Sequence, residues 1–296
     1  MTSRRSNPES LRVLQLRSRL LGALRAFFAS REFLEAETPL RLATPALEDH
    51  IDAIPAAGRW LRTSPELHLK RLLAAGASRI YQIGPCFRLG ERSERHREEF
   101  TMLEWYEAPG DSLTVMATTI DLIRACSQAL GKRRDYFARD PEILPLADAF
   151  RRHGLDLDAA IAAGRFEEEL CFRIEPHLGL SRPCFITDYP ASMAALARRK
   201  PGFPHLAERW ELYVDGLELA NAYGELTDPV EQRARFLATA ELRRAAGRVV
   251  YPLDEDFLAS LANLPPCGGI AFGIDRLLMA LLGTQEISDV LSFPEE

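Results

Sequence analysis

The stretch FRLGERSERHREEFTMLEWY, Phe87 to Tyr106, constrains the fold more than any other part of the chain. It holds four arginines (Arg88, Arg92, Arg95, Arg97), His96 and five glutamates (Glu91, Glu94, Glu98, Glu99, Glu104). The run before it carries Ile80, Tyr81, Ile83 and Phe87, and the run that closes it, Phe100 to Tyr106, is rich in aromatic residues. Both have strand character, so the charged part reads as the loop of a long hairpin. Planar guanidinium forks in such a loop suit a polyanion such as ATP. The competing reading is a solvated run of self-compensating charge, and the neighbouring segments have to decide between the two.

With 296 residues and 47% hydrophobic composition the chain can bury a large core. Its net charge of -6 excludes a non-specific nucleic-acid binder, so any positive site must be local. The apolar stretches Leu20 to Phe28 and Ile270 to Leu282 are interrupted by Arg or Asp. They fall short of the ~20 residues a membrane span needs. No apolar run follows the two arginines of MTSRRSNPES, so neither a secretory signal nor a membrane is expected. Five cysteines without a CxxC pair argue against a disulfide framework and a zinc site. Reduced thiols and a cytoplasmic location are the expectation.

Asn7 reads as an N-cap and Pro8 as the first residue of a helix, with Val13, Leu16, Leu20, Leu24, Phe27 and Phe28 on one face. Phe33 to Thr38 then reads as a strand stopped by Pro39. Thr63, Ser64 and Pro65 start a second helix that buries Leu67, Leu69, Leu72 and Leu73. Glu66 sits in its first turn, where it reads equally well as a dipole-complementing residue. Leu113 to Leu130 predicts a further helix, and Phe150 to Leu180 reads as helical. Gly131 to Pro145, which mixes charge with proline, reads as a weak joint and as the start of an insertion, around 131–183, within one domain spanning 1–296.

Cys184 to Pro190 reads as a buried strand and Ser192 to Arg199 as a helix. From Arg209, Glu211, Tyr213 and Asp215 alternate with Leu212, Val214 and Gly216, which is a strand, and Gly216 permits a bend before LELANAY. If both strands share a sheet, Glu211, Glu218, Asn221 and Glu225 converge on one surface. Such a set is costly unless it holds a cation or an ammonium. Thr227, Asp228 and Pro229 begin a helix through Arg248. Near the C-terminus Gly268 and Gly269 open a β-like run, Gly273 permits a close approach, and Asp275 caps a helix whose first turn holds Arg276. A cation there opposes the helix dipole, which marks a functional demand. No GxGxxG follows a strand, so a Rossmann fold is not expected.

In this order, the helix and strand ending at Pro39, the arginine-loop hairpin from Arg88 and the glycine-rich strand and helix carrying Arg276 resemble the three motifs of class II aminoacyl-tRNA synthetases. TSPELHLKRLL, RHREEFTMLEWY, ELANAYGELTD and GIDRLLMALLG bring the chain nearest the lysine-specific branch, over Leu11 to Pro294. The first helix begins almost at Met1, leaving no room for an anticodon-reading OB domain. The chain is therefore similar to the truncated paralogues of that branch, which attach (R)-β-lysine to a lysine of elongation factor P.

The resemblance implies an α+β fold with a mainly antiparallel sheet flanked by helices, homodimerisation through the Pro39 block, and no anticodon recognition. It also implies ATP as substrate, with Mg2+. By the same carry-over Arg88 and Arg276 are catalytic, and Glu91, Arg95, His96 and Phe100 join them around ATP. Glu66, Glu104, Tyr106, Asn221, Glu225 and Ala271 surround lysine or (R)-β-lysine, and Glu211 and Glu218 hold magnesium. Three carboxylates around a doubly cationic amino acid make electrostatic sense. The chain departs from the pattern at Leu89-Gly90, where a glutamate is usual and Glu91 follows, and at Arg97-Glu98, which replaces Asn-Pro. Ala271 stands where lysyl synthetases usually have glycine. Two alternatives stay open: a minimal lysine-activating enzyme with tRNA or another amine as acceptor, and a non-catalytic regulatory paralogue.

Overall fold

The computed structural model describes residues 8–294; the N-cap expected at Asn7 lies outside them. Eight strands form one sheet: β1 (Leu34–Glu35), β2 (Arg79–Phe87), β3 (Glu99–Glu107), β4 (Glu142–Pro145), β5 (Cys184–Thr187), β6 (Arg209–Val214), β7 (Leu217–Gly224) and β8 (Gly268–Gly273). Their order is β1-β2-β3-β8-β7-β6-β5-β4. Only the two edge pairs, β1 with β2 and β4 with β5, are parallel. The longer helices are α1 (Pro8–Ala29), α2 (Glu66–Ala74), α3 (Ser112–Leu130), α4 (Pro229–Ala245) and α5 (Ile274–Leu282). This is the mainly antiparallel α+β arrangement expected. The other sheets among the described residues have two and three strands, so no five-stranded OB barrel occurs there. No described helix is long and apolar enough to cross a membrane.

Alternation with period two gives the sheet two faces of opposite character. Register places Tyr81, Trp105, Ile270, Ala222 and Trp210 in one cross-strand row. That face packs beneath α1, α3 and α5 through Leu20, Leu24, Phe28, Leu122 and Leu277, all fully buried. Phe28 stacks on Tyr81 with ring centroids 4.4 Å apart. The next row, Gln82, Glu104, Ala271, Asn221 and Glu211, belongs to the opposite face. One end of that face is covered by α2 and α4, where Leu69, Leu73 and Phe236 pack with Ile80 and Tyr106. The uncovered part of the face becomes the functional cleft.

Several expectations need correction. Ser192 to Arg199 is not a helix: a single 3-10 turn (Ala191–Met193) is followed by a bridge of Ala197 to Glu225 and a short strand at Arg199–Lys200. The backbone N–H of Arg198 donates to the Gly224 carbonyl, and its guanidinium pairs with Glu208, so sheet-edge contacts override alanine's helix propensity. The strand expected at Phe33 to Thr38 is paired only at Leu34–Glu35.

Leu72 is 41% exposed and not part of the α2 core. The region Phe150 to Leu180 is helical only in short pieces, with Gly154 and Gly164 at positive φ where helices Leu146–Arg152 and Leu157–Ala162 stop. Helix α4 ends at Ala245, three residues early, with Gly247 left-handed. Asp275 does not cap α5, whose N-cap is Gly273. Gly268 and Gly269, not Gly273, are the tight positions: a Cβ on Gly268 would meet the Asp111 carbonyl at 2.0 Å, whereas one on Gly273 would make ordinary contact with Arg276.

Candidate active site

The cleft on the polar face has a volume of about 300 Å³. Every residue expected at the site lines it except Glu211. The hairpin β2–β3 supplies one wall, with Arg88 where β2 ends and Arg95 and His96 in the connecting loop. The guanidinium carbon of Arg88 lies 5.1 Å from the Phe100 ring centroid, and Arg88 Nη1 is 3.8 Å from Glu91. The chain distance between Arg88 and Arg276 is closed by the pairing of β3 with β8.

Arg276 does not point along its helix. Its Nη1 donates to the Glu218 carbonyl at 2.8 Å and to the Glu218 carboxylate at 3.2 Å, and Nη2 donates to His96 Nε2. The opposing helix dipole is therefore offset by partners outside the helix. Burial and the cations Arg276, Arg88 and Arg95 push His96 down to about 4, so the ring is neutral at pH 7. Accepting at Nε2 leaves its proton on Nδ1, 2.7 Å from Ser93 Oγ. Asp275 is buried and accepts from Arg17 of α1 and from the Thr101 backbone N–H at 2.8 Å. It locks the start of α5 to β3, which fixes Arg276 opposite the hairpin loop.

A second charge cluster lies deeper, under α2. Ser64 Oγ accepts from the Glu66 N–H at 2.9 Å and donates to Glu104 Oε1 at 2.5 Å, while the Tyr106 hydroxyl donates to Glu104 Oε2 at 3.3 Å. Burial, reinforced by Glu66, pushes Glu104 up to about 8. Burial also raises Glu225 to about 8, with Lys70 opposing the rise and Glu66 adding to it. Lys70 Nζ sits 2.5 Å from both Glu66 and Glu225. Burial alone would lower the lysine's pKa, but the two carboxylates raise it above the usual range. Gly269 makes this cluster possible: a Cβ there would lie 2.1 Å from Glu225 Oε1 and 2.2 Å from the Tyr106 ring. Asn221 donates from Nδ2 to the Tyr223 hydroxyl at 3.2 Å and keeps a buried Oδ1 without a partner. Ala271 lies between Asn221 and Glu104 in register.

Glu211 stands one strand further on. It accepts from the hydroxyls of Tyr189 and Tyr213 at 2.5 and 2.8 Å and pairs with Arg209 at 2.6 Å. Burial raises Glu218, and the charge of Glu211 raises it further. Glu175 rises to about 7 from burial together with Glu218 and Glu211. Among the described residues no three His, Cys, Asp or Glu side chains form a metal-sized group. The Glu218 carboxylate, which lines the cleft with Arg88, Arg95 and Arg276, nevertheless fits magnesium, which is usually held by one or two carboxylates plus substrate phosphates.

Sequence reasoning missed Lys70, Glu48 and Glu175. Lys70 stands four residues after Glu66, a spacing that itself signals an ion pair on a helix. Glu48 lines the cleft on a loop pinned by buried Arg243, which donates to the carbonyls of Glu48 and Ile51 at 2.5 and 2.9 Å. Nothing in the local sequence of Glu48 or Glu175 signals the site.

Residues 2–296 match the family model described as tRNA synthetases class II (D, K and N). The chain is 40% identical to the elongation factor P–(R)-beta-lysine ligase of Proteus mirabilis (strain HI4320), over 96% of this chain and 95% of that protein. Identity to the ligase of the same name from Vibrio cholerae serotype O1 is 38%, over 96% of each. Identity to the lysine–tRNA ligase of Moorella thermoacetica is 36%, over 97% of this chain and 66% of that protein. By sequence over its whole length, and by a sheet that joins the arginine hairpin to the glycine-rich strand, the chain belongs to the class II tRNA synthetases (D, K and N).

Proposed function

We propose that the chain is an ATP-dependent ligase that activates (R)-β-lysine as an acyl-adenylate and transfers it to a lysine side chain of elongation factor P. One observation carries this reading: a single cleft holds two charge clusters of opposite sign, Arg88, Arg95 and Arg276 in one and Glu66, Glu104 and Glu225 in the other. A triphosphate matches the first and a diammonium amino acid the second, with the reacting carboxylate between them. The names of the relatives in Proteus mirabilis and Vibrio cholerae support the choice of acceptor.

In the first half-reaction a carboxylate oxygen of the amino acid attacks the α-phosphorus, the bond to the bridging oxygen breaks, and pyrophosphate leaves. In the second, the uncharged ε-amine of the acceptor attacks the activated carbonyl, AMP leaves, and the amine's proton passes to solvent. Such chemistry asks the protein for positioning and charge neutralisation. Arg88 bridges the substrate carboxylate and the α-phosphate through its planar fork. Arg95 and His96 reach the outer phosphates, and Arg276 holds the γ-phosphate with its guanidinium over the adenine, whose other face meets Phe100. Glu91 reaches the adenine in place of the glutamate missing at Leu89-Gly90.

Glu218, with Glu211 behind it, would hold magnesium against the phosphates, where the ion neutralises developing charge. Asn221 contacts the substrate carboxylate. Glu66 pairs with the amino group near it, and Glu104, Tyr106 and Glu225 surround the remaining ammonium. The Ala271 methyl narrows the floor in favour of the β-amino acid, an effect of about 1–3 kcal/mol. We read the chain as one catalytic unit with an insertion around 131–183, acting in the cytoplasm, where its five free thiols stay reduced. A second copy pairs with it around Pro39, where Leu34 and Leu40 are exposed.

The test is ATP–pyrophosphate exchange with (R)-β-lysine beside α-lysine, followed by transfer of labelled amino acid to purified elongation factor P beside tRNA. Preference for the β isomer and labelling of the protein are expected. Strong preference for α-lysine with tRNA as acceptor would replace this reading by that of a minimal synthetase.

A further inference from the structure

Lys70 is 1% exposed, and its ammonium is held 2.5 Å from Glu66 Oε1 and 2.5 Å from Glu225 Oε2. Both carboxylates line the cleft, while Lys70 itself does not. Glu66 comes from the same helix one turn earlier, and Glu225 immediately follows β7. The lysine thus ties helix to sheet behind the amino-acid pocket. A buried ammonium is expensive unless carboxylates compensate it, and a buried carboxylate is expensive without a cation. Each group is therefore held in place by the others.

Counting charges gives this arrangement a consequence for substrate choice. Among the carboxylates tied together here, with Glu48 on its loop left aside, Glu66, Glu104 and Glu225 ionised against a bound diammonium substrate contribute three negative charges, and Lys70 removes one, leaving two. Without substrate, Glu104 and Glu225, both raised to about 8, hold their protons near neutral pH. A diamino acid brings two ammonium groups. We infer that Lys70 is a positioning and specificity-determining residue, a resident cation that sets the separation of Glu66 and Glu225 and leaves the pocket with the two negative charges that select an amino acid carrying two ammonium groups. This inference rests on the lysine-activating reading above.

Other titratable groups facing the cluster are Tyr106, Tyr223, Cys86, Cys267, Glu48 and Arg198. Arg198 opposes the rise of Glu225 but ranks behind Lys70, so it does not replace the lysine's charge. Without Lys70, Glu225 and Glu104 would hold their protons to higher pH, and a diammonium substrate would have to displace them.

The experiment is lysine-dependent ATP–pyrophosphate exchange by the full chain and its Lys70→Met and Lys70→Arg variants, across roughly pH 6–9, with norleucine as the one-ammonium competitor. In Lys70→Met the KM for lysine should rise about tenfold or more near neutral pH, with the KM for ATP changed less than about threefold. The pH at which the lysine KM levels off should move upward, and discrimination against norleucine should narrow. Lys70→Arg, which keeps the charge, should recover part of each effect. Equal losses in both variants, with ATP and lysine KM rising together and an unmoved pH profile, would make Lys70 a packing residue and overturn the inference. If melting shows Lys70→Met unfolded, Lys70→Gln, which also removes the charge, is read in its place, and an unmoved pH profile with unchanged selectivity in that variant counts against the inference. Wild-type exchange that does not depend on lysine or (R)-β-lysine would instead sink the reading of the reaction itself.

Discussion

Glu104 is 1% exposed, held by Ser64 and Tyr106, and raised by burial from the ordinary 4.5 to about 8. A carboxyl whose folded pKa is raised favours the folded state while it keeps its proton. That contribution is complete below about 4.5 and is lost as pH climbs through about 8. A substrate ammonium reverses the preference by rewarding the ionised form. The lysine KM should therefore fall as pH rises from about 6 to about 8.5, and Glu104→Gln should flatten the slope. A wild-type KM that is level across that window would show that no carboxyl in the pocket titrates there. In the proposed reaction Arg88 and Arg276 act at the other cluster, on charge that develops only as phosphorus is attacked. Arg88→Ala or Arg276→Ala should cut exchange at saturating substrates by at least about 100-fold, and a loss confined to KM would contradict their placement. Arg88 and Arg276 stood out in sequence, as part of an arginine-rich loop and as a cation at a helix start, whereas the place of Glu104 came from the resemblance to class II synthetases. Lys70 did not stand out, because a lysine four residues after a glutamate looks the same on a solvated helix as on a buried one.

At the scale of an element, β8 serves two purposes at consecutive glycines. Gly268 abuts the Asp111 carbonyl, which is backbone and cannot swing away, whereas Gly269 abuts the side chains of Glu225 and Tyr106. Gly268→Ala should therefore cost about 1–3 kcal/mol of stability, read from denaturant melts. Gly269→Ala should instead raise the lysine KM and spare the KM for ATP. The opposite assignment of the two defects would refute this division. The β2–β3 hairpin was readable from the apolar and aromatic runs that flank its charged loop, and β6–β7 from alternation and the bend at Gly216, where Asp215 and Gly216 both have positive φ. Ser192 to Arg199 was misread because alanine-rich local preference amounts to only tenths of a kcal/mol per residue. Bridging to Glu225 and the pairing of Arg198 with Glu208 outweigh it. Asp275 was misread for a related reason: a cap is inferred from chain position, but its carboxylate was claimed by Thr101 and Arg17 from distant elements.

For the whole molecule, the proposed dimer predicts that Leu34→Glu, at a residue 64% exposed in the segment that ends at Pro39, gives a monomer by sedimentation velocity. An unchanged sedimentation coefficient would place the contact elsewhere or remove it. Exchange activity measured on the same sample would show whether the cleft needs the second copy. The sequence by itself determined the two hairpins and the charged loop, because periodicity and residue chemistry are local properties, while the kind of sheet and the roles expected of the cleft residues came from the resemblance to class II synthetases. Only the tertiary structure decided that Arg88 and Arg276 face one space, through the β3–β8 pairing, and that a buried lysine joins the carboxylates behind it. Register across strands and the charge state of a buried group depend on partners far along the chain, and their desolvation exists only once those partners have met.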